Sequence, residues 1–183
     1  MWNKKTVCVV FPAYNEEPNI EAAVKDFLAT QNPDGSALIE EVLVINNNSS
    51  DRTEELACRA GARVVVENKQ GYGNALKRGL AEATCDITVL CEPDGTFVAS
   101  DVFKLLSYSE ELDMVLGTRT HPLLLGKGAN MGWFLRWGNI IVAKLLQILY
   151  VTPVLTDCGC TYRLIHTKHV GCLLYTSPSP RDS

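Results

Sequence analysis

The feature that most constrains this chain is the alternation of short, almost uninterrupted apolar runs with stretches of helical period. The runs are Thr6–Phe11 (TVCVVF), Glu41–Ile45 (EVLVI), Arg63–Val66 (RVVV), Ile87–Cys91 (ITVLC) and Met114–Gly117 (MVLG). Between the first two lies Glu17–Ala29, with Ile20, Val24, Phe27 and Leu28 on one face and Pro18 in its first turn. A second helical stretch starts at a Ser50 or Asp51 cap and stops at Gly61; Gly73–Ala83 and Val102–Tyr108 follow. Strands that are apolar throughout, with no polar alternation, suit burial on both faces. Strands joined through helices need crossover connections, so the pattern predicts an α/β fold with a mostly parallel sheet and helices on both faces. The 183 residues are enough for one domain with a sizeable core, placed at residues 1–171.

Ligands in such sheets bind beyond the carboxyl ends of the strands. Four segments occupy that position: PAYNE (Pro12–Glu16), NNNSSD (Asn46–Asp51), EPDGT (Glu92–Thr96) and TRT (Thr118–Thr120). They are expected to rim one crevice. Glu92 and Asp94 flank Pro93, whose ring stiffens the pair. Two such carboxylates can share Mg2+ or Mn2+, ions completed by substrate phosphates and water. The same tripeptide is also an ordinary solvated turn. Arg119 adds a planar cation able to grip phosphate oxygens through two donors. The net charge of −4 supplies no field for nucleic acid, so any phosphate must be held locally.

Taken together, PAYNE, NNNSSD, GYGNALKRGL (Gly71–Leu80), EPD and GTR (Gly117–Arg119) resemble the family 2 glycosyltransferases. Within them, the likeness is to polyprenyl-phosphate glycosyltransferases of the dolichol-phosphate mannose synthase type, over Thr6 to about Ile165. The resemblance implies a GT-A fold, a Rossmann-like domain that takes a UDP- or GDP-linked sugar with Mg2+ or Mn2+. By matched position, Pro12, Tyr14 and Glu16 line the nucleotide pocket, with Ile45 and Asn47 near base and ribose. Glu92 and Asp94, around Pro93, match the metal-binding acidic pair, and Thr96 hydrogen-bonds nearby. Arg119 matches a phosphate-contacting arginine, and Arg136 a basic residue near the acceptor phosphate. Asp157 and Arg163, from TDCGCTYRL, match the Asp and Arg of a later family segment, with Arg163 also assigned to the acceptor phosphate. Two departures stand out. Asn46-Asn47 replaces a common Asp-Asp, which leaves the base open, and Glu92 replaces the first Asp of the acidic pair.

The implied reaction is metal-dependent and inverting, with a polyprenyl or dolichyl phosphate as acceptor. A phosphate oxygen is already anionic, whereas a hydroxyl acceptor needs a base, for which Asp157 is available. Asp94, Arg119 and Asp157 are therefore the expected catalytic residues. Two rival readings remain. A sugar nucleotidyltransferase should carry a glycine-rich basic loop where this chain has PAYNEEP, and a glycosyltransferase-like fragment would bind a sugar nucleotide without turnover.

Met131–Tyr150 reads as a helix with Gly132, Arg136, Asn139, Ala143 and Gln147 on one narrow stripe and large apolar residues elsewhere. Such a helix is buried in a core or lies in a membrane interface. The family resemblance favours the interface, on the cytoplasmic face of a membrane. No run reaches the ~18 uninterrupted apolar residues of a membrane span. Seven cysteines without zinc-ligand spacing suggest reduced thiols, and His166 and His169 read as surface residues. Residues 172–183 resemble the translation of a sequencing adapter and are expected to be a non-native tail, with the natural frame cut near Gly171.

Overall fold

The apolar runs become the strands of one six-stranded sheet. In chain order the elements are β1 (Val7–Ala13), α1 (Ile20–Leu28), β2 (Glu41–Asn46), α2 (Thr53–Ala60), β3 (Arg63–Val66), α3 (Tyr72–Glu82) and β4 (Ile87–Leu90). They continue with α4 (Val102–Leu106), β5 (Met114–Leu116), α5 (Trp133–Tyr150), β6 (Arg163–His166) and α6 (Val170–Tyr175). The computed structural model describes residues 1–118, 133–151, 155, 157 and 159–175, with backbone alone at 133–136 and 175. Arg119 and the side chain of Arg136 lie outside the described residues.

Strand order is β3-β2-β1-β4-β6-β5. β1 is parallel to both β2 and β4, and β2 is parallel to β3, while β6 runs antiparallel to β4. All seven residues of β1 are buried, as its place in the middle of a covered sheet requires. Pro12 lies inside this strand, opposite Ile45, so the strand runs past the proline at which the apolar pattern alone would stop it.

Helix α3 lies unusually close to the sheet. A Cβ on Gly79 would meet Val10 Cγ1 at 2.4 Å and Ile45 Cγ1 at 3.1 Å, so only hydrogen fits there. The close approach sets the position of the whole helix and therefore of its first residues, Tyr72 and Gly73. Opposite ends of the sheet also differ in purpose. At the amino-terminal edge, Arg63 forks onto Glu41 at 2.6 and 3.2 Å and reaches Glu82, tying β2, β3 and the end of α3 together.

Two compact units divide the chain: Met1–Val115 with Tyr162–Ser183, and Leu116–Thr161. In the second unit, Asp157 is buried, and its carboxylate accepts hydrogen bonds from Asn139 Nδ2 and from the Gly159 N–H at 2.9 Å. Along α5, Trp137, Ile141, Val142, Leu145, Ile148, Leu149 and Tyr150 are exposed, whereas Ala143 is buried. No helix among the described residues is long and apolar enough to cross a membrane.

β6 has no counterpart among the strands expected from the sequence. Its four residues, RLIH, are bounded by charge and too short to give a period. His166 is buried, contrary to the surface reading: its Nε2 donates to the Ser109 carbonyl at 2.7 Å, and its backbone N–H donates to Asp113 O at 3.1 Å. His169 is half-exposed and faces Asp113 at 3.0 Å. The start of the presumed tail is folded as far as Tyr175, with Leu174 half-buried against the main core cluster. No disulfide forms among the described cysteines.

Candidate active site

Because β1 to β4 all run in one direction, the segments following them emerge at one edge of the sheet. The first two are laced together. Asn47 N donates to Ala13 O at 2.9 Å, Asn15 N to Ser49 Oγ at 3.1 Å, and Ser50 N to Asn15 Oδ1 at 2.8 Å. Glu16 N donates to Thr53 Oγ1 at 2.8 Å, and Glu17 N to Asp51 Oδ2 at 3.1 Å. Asn15 and Asn48 both hold left-handed backbone (φ 55° and 63°), a conformation that asparagine tolerates better than most side chains. Burial works against the charge of Asp51. Hydrogen bonds from Thr53 Oγ1, Thr53 N and Glu17 N outweigh it and hold the carboxyl below its ordinary value.

Above this lacing sits a largely apolar cavity of about 190 Å³. Pro12, Ala13 and Tyr14 contribute from the end of β1, Asn47 from the end of β2, and Gln70, Gly71, Tyr72 and Ala75 from the start of α3. Tyr14 is 54% exposed, a large aromatic surface left open at the mouth of a pocket. A second cavity of about 410 Å³ lies at the other edge, beside the starts of β2 and β3, and its Arg63 and Glu41 already satisfy each other. The carboxyl-edge cavity is therefore the candidate.

The acidic turn borders it through Tyr72. Burial first, and then the charge of the neighbouring Glu92 carboxylate, push the Tyr72 phenol well above its ordinary value, so the hydroxyl stays protonated beside the acidic turn. Arg163 opposes that shift from the first position of β6, which pairs with Leu90 at the end of β4. Asp94 is exposed, and its Oδ1 accepts from Thr96 N at 2.9 Å and Thr96 Oγ1 at 2.6 Å. Gly95, with φ 77°, allows the turn to close. Asp94 Oδ2 has no hydrogen-bond partner among the described residues. No cluster of three or more His, Cys, Asp or Glu side chains able to hold a metal occurs among them. The donor set thus fits a hard cation completed by phosphate oxygens and water, and does not form a protein cage.

Comparison with known proteins agrees with this geometry. The glycosyl transferase family 2 model matches residues 8–174. The chain belongs to family 2 of the glycosyltransferases. An uncharacterized glycosyltransferase of Mycobacterium tuberculosis is 34% identical over 149 residues, covering 81% of this chain and 62% of that protein. Glycosyltransferase AglJ of Haloferax volcanii is 32% identical, over 79% of this chain and 45% of its own. Glucosyl-3-phosphoglycerate synthase of Mycolicibacterium smegmatis is 35% identical, over 79% and 50%. The crystal structure of the M. tuberculosis synthase with Mn2+, UDP-glucose and phosphoglyceric acid superposes with a TM-score of 0.66 at 26% identity, over 90% of this chain and 58% of that one. This chain therefore spans about 62% or less of the length of these relatives, and its α/β architecture is the GT-A fold of the family.

Within that family frame, the expected site residues separate into groups. Pro12, Tyr14 and Asn47 line the cavity. Ile45 and Glu16 do not. Ile45 is fully buried beneath Gly79, and the Glu16 carboxylate accepts from Asn19 Nδ2 at 3.2 Å near the start of α1. Glu92, Pro93, Asp94 and Thr96 form the acidic turn, with Arg163 at the same sheet edge. Asp157 belongs to the second unit. Motif reading missed Gln70, Tyr72 and Ala75 as cavity residues, although Tyr72 and Ala75 lie within GYGNALKRGL. The signal was Gly71 before a helical period, which marks a helix start aimed at the ligand edge.

Proposed function

We propose that this chain carries the donor side of a metal-dependent transferase that takes a uridine diphosphate sugar. The observation that carries the reading is that Tyr72 belongs to two features at once: it walls the apolar cavity, and its phenol lies near enough to Glu92 of the acidic turn for that carboxylate's charge to help keep it protonated. An aromatic-walled slot suits a base, where stacking contributes about 1–3 kcal/mol. A carboxylate turn beside it suits the diphosphate with its cation. The UDP-glucose and Mn2+ complexes of the structural neighbours support both assignments.

In this reading Asp94 and Glu92 hold the divalent ion, Mn2+ or Mg2+, which supplies charge neutralisation at the diphosphate. Thr96 fixes the rotamer of Asp94 by two hydrogen bonds to Oδ1, leaving Oδ2 for the ion. Tyr72 stands beside Glu92, whose extra methylene relative to Asp gives it more freedom to lose on binding the ion. Arg119 is assigned to the leaving diphosphate, and Arg163 with Arg136 to the phosphate of the acceptor. The anomeric C–O bond breaks, its electron pair leaves with UDP, and the acceptor oxygen forms the new bond.

The acceptor carries a phosphate in two forms of the proposal. A phosphorylated small acid is supported by the neighbours crystallised with phosphoglyceric acid. There a hydroxyl attacks, and Asp157 is the base assigned to it. A polyprenyl phosphate at a membrane surface is supported by the exposed apolar residues of α5, such as Ile141, Leu145 and Ile148. There the phosphate oxygen attacks directly, with inversion. The test is turnover of UDP- and GDP-sugars with Mn2+ or Mg2+, offering 3-phosphoglycerate in one series and polyprenyl phosphate in liposomes in another. Absence of binding and turnover for every nucleotide sugar would refute the reading. Flotation with liposomes separately decides the role of α5.

A further inference from the structure

We infer that Asn47 is a positioning residue: its amide staples the Glu67–Gly71 loop to the end of β2 and holds in place one wall of an uncharged pocket matched to uracil. The inference rests on the donor reading above and adds to it a residue role and a physical reason for the preference for uracil. Asn47 is only 3% exposed. Its Nδ2 donates to the carbonyls of Glu67 and Lys69 at 3.0 and 2.9 Å, and its Oδ1 accepts the Gly71 N–H at 2.7 Å. Both hydrogens of the amide are used, on two residues of one loop.

A carboxylate could not replace it. Aspartate at this position keeps the Gly71 bond but has no hydrogen for the two carbonyls, and sets negative charge against both oxygens. These part-buried carbonyls, stripped of their donors, force the loop to open or to admit water. The loop leads at Gly71 (φ 132°) directly into α3, so its seat decides where Gln70 and Tyr72 stand relative to Tyr14. The asparagine in a position where the family often has aspartate is thus required by this loop.

A consequence for the base follows. With its hydrogens spent on the loop, Asn47 does not read the nucleobase through its amide N–H groups, and no carboxylate among the described residues lines the cavity. Guanine presents two adjacent N–H donors on its pairing edge, which a carboxylate matches best. Uracil presents one N–H between two carbonyls, a pattern that neutral amides and backbone groups satisfy. Asn48 Nδ2 lies 3.4 Å from Gln70 Oε1, an arrangement that leaves the Gln70 amide hydrogens for a base carbonyl.

The test is calorimetric binding of UDP and GDP, with Mn2+, to the wild type, Asn47→Asp and Asn47→Ala between pH 8 and pH 5. The wild type should bind UDP at least about tenfold more tightly than GDP. Asn47→Asp should lose at least about tenfold in UDP affinity at pH 8 and regain part of it, relative to wild type, towards pH 5. Protonation returns one O–H donor to the aspartate, whereas Asn47→Ala has nothing to protonate and should stay weak throughout. Wild-type affinity for UDP in Asn47→Asp at pH 8, or a deficit equal to that of Asn47→Ala at every pH, would overturn the positioning role. GDP binding as tight as UDP would overturn the base preference. Amide hydrogen exchange of the ligand-free wild type tests the staple even where a variant fails to fold: the Gly71 N–H should be protected, and free exchange there would refute it. Loss of all nucleotide binding in the wild type would instead count against the donor reading, with Gly71 exchange still deciding the staple.

Discussion

Gly79→Ala separates helix propensity from packing at the point that seats α3. Alanine is favoured over glycine in a helix interior by about 1 kcal/mol, so propensity alone predicts stabilisation. The structure predicts the reverse. The new Cβ would lie 2.4 Å from Val10 Cγ1 and 3.1 Å from Ile45 Cγ1, whereas carbon atoms pack at about 3.5–4.0 Å. Both neighbours are fully buried on central strands, and Val10 cannot retreat without displacing β1. Overpacking of this kind costs about 1–3 kcal/mol, and the depth of the clash argues for the upper end. The net loss is then about 2 kcal/mol, or about 4–8 °C in Tm for a chain of this length. Thermal unfolding should show that fall, while Gly73→Ala, with nothing within 4 Å of its Cβ, should leave Tm unchanged or raise it. A double-mutant cycle with Val10→Ala should couple by about 1 kcal/mol or more, because removing Cγ1 relieves the clash. A higher Tm for Gly79→Ala, or strict additivity with Val10→Ala, would refute the argument.

Three further outcomes follow from the same geometry. Asp94→Asn should lower sugar transfer by roughly 100-fold and raise the Mn2+ concentration needed for half-maximal rate, checked by metal titration of turnover. Asp51 has a folded pKa below its ordinary value, so its stabilisation is complete above about pH 4 and is lost as pH falls through the folded value. Asp51→Asn should therefore cost about 1–2 kcal/mol at pH 7, with the gap to wild type closing as pH falls below about 4 in urea titrations. A gap independent of pH would remove the carboxylate from that account. Tyr162→Phe should be neutral or stabilising by up to about 1 kcal/mol, since its buried hydroxyl has no partner among the described residues and burial keeps it protonated. A clear destabilisation in the melting curve would mean that the hydroxyl has a partner.

The sheet was legible because parallel strands buried on both faces must be apolar along their length, as Val7–Phe11 and Val42–Ile45 are. The same physics locates the site, since one direction of four strands brings PAYNE, NNNSSD and EPDGT to one edge. What sequence could not convey was how polar residues divide between ligand and scaffold. Glu16, Asn15, Asp51 and Asn46 sit in motif positions, yet they hydrogen-bond to neighbouring loop or helix atoms: Asn46 Nδ2 to Glu54 Oε2 at 2.8 Å, for example. Composition assigns an acceptor or a donor to each such side chain, but its partner depends on backbone paths separated by tens of residues. β6 was missed for a related reason: an antiparallel strand of four residues is specified by the edge of β4 that it covers, through Leu90 opposite Arg163, more than by its own pattern. Asn47 joins both lessons. Its motif position marks it as a base reader, and its three bonds to the 67–71 loop show that a pocket wall has to be held before anything can be read against it.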